Sequence, residues 1–153
     1  MKKRTFSLVI LLAITLVLLF GVGPVNAAEK TTFPSYSELV AYLDYGTWSY
    51  PDGNIHIRGM VELFRNTGPD PRITGYNTVT VNANWQSDYT GPMSGTFSFE
   101  TDEGGLWEGT WAGQMTEAGP VYSGSADGHG MYAGMKMWVD MNYGVCTLTI
   151  LEH

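Results

Sequence analysis

In the stretch GLWEGTWAG, residues 105–113, tryptophan and glycine occupy alternate places, and this alternation limits the folds open to the chain. At the period of two that a strand imposes, Trp107, Gly109, Trp111 and Gly113 share one face, and Leu106, Glu108, Thr110 and Ala112 share the other. A strand built this way is one that coils tightly. Glycine sits where the bend would crowd a side chain, and an aromatic ring from a neighbouring strand covers the bare backbone.

The rest of the chain has the same character. Strand-like runs at about 54–65, 73–85, 93–100, 105–115, 120–127, 130–142 and 144–151 are separated by clusters of turn residues such as PDGN at 51–54, NTGPDP at 66–71 and TDEGG at 101–105. A short run near 45–50 would make an eighth. Strands this closely spaced predict an all-β fold, and the glycine density favours a small closed antiparallel β-barrel of about eight strands over a sandwich. One segment reads differently. In SYSELVAYLDY, Leu39, Val40 and Leu43 fall on one helical face behind a capping Ser35 or Ser37, which predicts one short N-terminal helix. The expected organisation is therefore a lead-in with a helix over 28–50 and a barrel over 51–153.

Residues 1–27 read as a signal peptide. The basic MKKRTF precedes the apolar SLVILLAITLVLLFGV, and small residues follow, so cleavage is expected between Ala27 and Ala28. An uncleaved anchor is the competing reading, because the apolar run approaches the length of a spanning helix. Cleavage would make the protein secreted or periplasmic with no stable membrane anchor, and would leave 126 residues, enough for one domain with a real core. The mature segment would carry five basic residues against fifteen acidic ones, a net charge of −10. Nucleic acid and anionic headgroups would be repelled by such a chain. The lone Cys146 allows no internal disulfide, and its shared parity with Leu148 and Ile150 predicts a buried apolar role. Leu151-Glu152-His153 matches the scar an expression tag leaves, and His153 is given no role.

The GxGxYxG pattern at 128–134, following a glycine-punctuated strand and the GTF at 95–97, resembles the late-strand pattern of allene oxide cyclase-like and dirigent-like barrels. The resemblance covers roughly 95–135. It implies an eight-stranded barrel with a largely apolar cavity, assembly as a dimer or trimer, and the guiding of reactive or hydrophobic small molecules. The polar cavity residues of those enzymes have no recognisable counterparts here.

Three groups of residues are candidates for function. In GSADGHGMYAGMKMWVDM, read as one continuous strand over 124–141, Gly124, Gly128, Gly130 and Gly134 share a face with Tyr132, Lys136, Trp138 and Asp140. On the opposite face, Met131, Met135, Met137 and Met141 would form a soft apolar lining, either core or the wall of a cavity. Trp107, Trp111 and Trp138 with Tyr122 and Tyr132 are either barrel core or a surface platform for sugar rings or a protein partner. Lastly, NIHIRG and the residues after it place His56, Arg58, Met60 and Glu62 on one face, opposite Ile55, Ile57, Val61 and Leu63. His56, Arg58 and Glu62 would be surface groups if the apolar face is core, or acid–base and anion-binding groups if they face a lumen.

No nucleophile elbow, zinc-protease helix, phosphate loop or paired CxxC occurs, so neither a metal nor a cofactor is expected. The acidic turns at Asp52, Asp70, Asp102 and Glu103 read as solvated loops. The function expected is binding of a hydrophobic or aromatic small molecule in the barrel. A cyclase- or isomerase-like enzyme and a carbohydrate- or protein-binding module are the alternatives.

Overall fold

The computed structural model describes residues 28–152. The signal segment read over 1–27 and His153 lie outside the described residues. The described chain forms nine strands: β1 (Glu29–Asp44), β2 (Thr47–Ser49), β3 (Ile55–Thr67), β4 (Gly75–Trp85), β5 (Gly91–Thr101), β6 (Leu106–Thr116), β7 (Gly119–His129), β8 (Lys136–Asn142) and β9 (Val145–Glu152). From β3 to β9 each strand pairs antiparallel with the next. β1 then closes the sheet, because it pairs with both β9 and β3. The result is a closed eight-stranded barrel, with β2 as one additional short strand on β3 outside it.

The predicted N-terminal helix is not present. Residues 36–44 are the second half of β1, and two bulges explain their helix-like spacing. Pairing with β3 skips a residue between Leu39 and Ala41 and another between Tyr42 and Asp44. Val40 and Leu43 are therefore extra residues in a strand, and two insertions three places apart imitate a helical period. The lead-in is thus part of the barrel wall.

Closure uses β1 in two halves. Glu29 to Ser35 pair with β9, and Tyr36 to Asp44 pair with β3, so the strand runs past the end of β9 and rises beyond the β8–β9 hairpin. This overhang is a lip on one side of the barrel. Leu39 faces Phe64 and Tyr42 faces Glu62, which puts both on the inner side, yet they are 40% and 44% exposed because no strand stands opposite.

The tryptophan–glycine alternation is resolved by register. Trp111 on β6 lies between Gly95 on β5 and Gly124 on β7. A Cβ at Gly95 would overlap the Thr80 carbonyl oxygen, and one at Gly124 would lie 2.7 Å from that of Thr110. Only glycine permits the strands to coil this closely, and the indole covers the space. On the outside of the same strands stand Ser94, Thr96, Glu108, Thr110, Ser123, Ser125 and Asp127, a surface suited to water rather than lipid chains.

One end of the barrel is filled. The 3-10 turn Pro71–Ile73 inserts the fully buried Ile73, while Tyr132 stacks on Trp107 with ring centroids 4.9 Å apart. The Trp107 indole donates to the Arg72 carbonyl at 3.0 Å, and the Tyr132 hydroxyl lies 3.0 Å from Thr101 Oγ1. Arg72 is itself held by Asp70 and Glu152. The acidic turn residues Asp70 and Asp102 are thus occupied by Arg72 and Arg65.

Candidate functional site

The interior is not filled throughout. Beyond the plug of Ile73, Trp107 and Tyr132, a cavity of about 310 Å³ extends toward the end bearing the β4–β5, β6–β7 and β8–β9 hairpins. Eight-stranded barrels have interiors that are either filled by side chains or just wide enough for one small ligand, and this volume lies at the lower end of the range for small-molecule sites. The walls are mainly apolar and aromatic. β3 contributes Met60 and Phe64, β4 Val79 and Val81, β5 Met93, Phe97 and Phe99, β6 Trp111 and Met115, and β8 Met137, Val139 and Met141. At the mouth Trp85 and Pro120 complete the ring.

A few polar groups interrupt this lining. Glu62, Asn66 and Asn77 stand on the β3–β4 side, and Tyr122 and Cys146 on the β7 and β9 side. Ser37 donates to Asn66 Oδ1 at 3.0 Å. Three buried polar atoms of lining side chains have no partner among the described residues: Asn77 Oδ1 and the indole nitrogens of Trp85 and Trp111. Leaving a buried donor or acceptor unpaired costs free energy, and these three atoms lie within the cavity wall, shielded from water. Burial raises the Glu62 carboxyl above the ordinary carboxylate range. Burial likewise pushes the Cys146 thiol up to about 11, with the charge of Asp140 adding to it, and raises the Tyr122 phenol. At neutral pH these two groups are uncharged, and Cys146 is not activated as a nucleophile.

A bulge decides the fate of the β3 candidates. Ile57 pairs with Ala83 and Met60 with Val81, so Arg58 and Gly59 together oppose Asn82. Gly59 has φ of +69°, which favours glycine, and its amide donates to Asn82 Oδ1 at 3.0 Å. Parity reverses across this point. Ile55 and Ile57 face in with His56 and Arg58 outside, while after the bulge Met60 and Glu62 face in. The sequence expectation of one face carrying His56, Arg58, Met60 and Glu62 is corrected accordingly. Arg58 is held outside by the Ile57 and Ala83 carbonyls at 2.7 and 2.8 Å and by Asn84 Oδ1 at 2.5 Å. Glu62 enters the cavity without His56 or Arg58.

A second break separates the residues read as one strand over 124–141. β7 ends at His129, a 3-10 turn occupies Gly130–Tyr132, and β8 begins at Lys136. Tyr132 is therefore buried in the plug, whereas Lys136, Trp138 and Asp140 face out. Of the expected lining residues, Met137 and Trp111 border the cavity, as does Met141. Met135 packs against the core from its edge, and Met131 is 58% exposed on the turn. Trp107 and Tyr132 are buried, Tyr122 faces the cavity, and Trp138 alone of the five aromatics stands at the surface, so they form no single external platform. His129 lies outside, 3.3 Å from Glu108. Comparison of the chain with models of protein families, with curated proteins and with solved structures finds no match in any of the three.

Proposed function

We propose that this protein binds a hydrophobic or aromatic small molecule inside its barrel. The observation that carries this reading is the cavity of about 310 Å³ with mainly apolar and aromatic walls. Apolar surface left facing an empty chamber is unfavourable, and a ligand that fills the chamber relieves that cost. The glycine pattern that resembles allene oxide cyclase-like and dirigent-like barrels supports the same role. For the enzyme alternative, Glu62 is the polar candidate on the cavity side, with no imidazole or guanidinium among the lining residues.

The test is titration of the mature segment, residues 28–153, with a neutral apolar fluorophore such as N-phenyl-1-naphthylamine. Saturable one-to-one enhancement is expected, and it should be abolished in Val81→Trp, which fills the cavity, provided near-UV circular dichroism shows the fold intact. Absence of saturable binding to the wild type would overturn the reading, as would unchanged binding to the filled variant.

A further inference from the structure

Glu62 is the one acidic side chain among the cavity lining, and no lysine, arginine or histidine stands there with it. No ion pair or hydrogen bond to it occurs among the described residues. Glu62 is half-buried, and a carboxylate partly withdrawn from water without a partner is disfavoured, which an incoming cation would relieve. The cavity that Glu62 enters is also lined by the aromatic side chains of Trp85, Trp111, Phe97 and Tyr122. The Trp111 ring is tilted 55° to that of Tyr122 at a centroid distance of 5.2 Å. Aromatic faces attract cations through their quadrupole, and the attraction grows when water is excluded.

We infer that the cavity selects organic cations: a protonated amine on an apolar or aromatic body, with the ammonium directed to Glu62 and the body held among the rings. The inference rests on the cavity-binding reading and adds the charge of the ligand. One carboxylate beside indoles and phenyl rings lacks the six to eight oxygen ligands that calcium takes, which points away from a metal ion. An acid is disfavoured twice, by Glu62 and by the absence of any cationic partner in the lining. The titratable groups near Glu62 are Tyr42, its register partner on β1, Tyr122 on β7 and Cys146 on β9. None of these supplies a positive charge.

The experiment compares three probes of one shape, 2-naphthylmethylamine, 2-naphthylmethanol and 2-naphthoate, displacing N-phenyl-1-naphthylamine from residues 28–153 at pH 7.5. The amine should bind about tenfold or more tightly than the alcohol, and the carboxylate most weakly. In Glu62→Gln the amine and alcohol should become nearly equal while the dye still binds. Lowering the pH of the wild type should erase the preference in the same way, because protonation removes the Glu62 charge without altering the sequence. This arm needs no folded variant. An amine preference that is absent in the wild type, or that survives both in Glu62→Gln and at low pH, overturns the inference while dye binding leaves the cavity reading intact. Failure of the dye itself overturns the reading beneath it.

Discussion

At the scale of single residues, Glu62 is where stability and function pull apart. Its neighbours on β3, Met60 and Phe64, and its facing strands make an environment that favours the neutral acid, so its folded-state affinity for a proton exceeds that in the unfolded chain. The sign of the linkage follows. Below the ordinary value of 4.5 both states are protonated and Glu62 costs nothing. As pH rises through that value the unfolded chain ionises first, and the folded state is left with a penalty that persists at neutral pH. Glu62→Gln should therefore raise the urea midpoint of the ligand-free protein at pH 7, with the gain shrinking as pH falls toward 4.5 and absent below it. A variant less stable than wild type at pH 7 would show that the carboxylate is paired after all. A residue that costs stability where no structural partner needs it is the type expected at a binding site. Nothing in the sequence singled Glu62 out from His56 and Arg58, because their relative facing depends on a single extra residue between them.

At the scale of elements, what the sequence showed clearly was alternation within an uninterrupted strand. Trp107 and Trp111 do share a buried face with Gly109 and Gly113, and Cys146 is buried with Leu148 and Ile150 as their parity requires. What it concealed was every place where alternation resets: the bulge at Arg58 and Gly59, the two bulges in β1, and the turn at Gly130–Tyr132. A bulge has weak local sequence signals, since a glycine such as Gly59 is equally at home in a strand interior or a turn, and pairing with a distant strand decides between them. The β3 bulge is also where Arg58 acquires a structural part. Its guanidinium donates to the Ile57 carbonyl on its own strand and ties β3 to β4 through the Ala83 carbonyl and Asn84 Oδ1, so Arg58→Ala should lower stability by about 1–2 kcal/mol in urea unfolding. Dye affinity should stay within about twofold of wild type at protein concentrations where the variant is folded, a ratio worth less than about 0.5 kcal/mol. Loss of binding with stability unchanged would instead place Arg58 in the site.

At the scale of the whole molecule, the barrel depends on one strand serving two neighbours. Glu29 faces Glu152 and Asp44 faces Val61, so β1 joins the first and last parts of the described chain and seals the wall beside the cavity. Closing such distant segments costs chain entropy before any contact offsets it, and barrels held by non-local pairing gain most of their stability only once the last ladder forms. The plug and the cavity both share that dependence. Arg72 of the plug is held by Glu152 of β9 and lies over the Phe33 ring of β1, and Leu148 and Cys146 of the cavity wall lie on β9, whose outer edge is covered by Glu29 to Ser35. A chain beginning at Tyr36 removes that cover, exposes the β9 edge and opens the cavity to water. It should lose the sharp two-state urea transition of the 28–153 protein, show weakened near-UV circular dichroism from the interior tryptophans, and aggregate through the bared edge. Supplying a peptide of residues 28–35 in trans should restore part of the near-UV signal, because pairing with β9 is what the truncation took away. A truncated chain that unfolds as sharply as the longer one, with the same near-UV spectrum, would mean that the barrel holds without the Glu29 to Ser35 ladder on β9 and that the first half of β1 is an addition to the barrel rather than its seal.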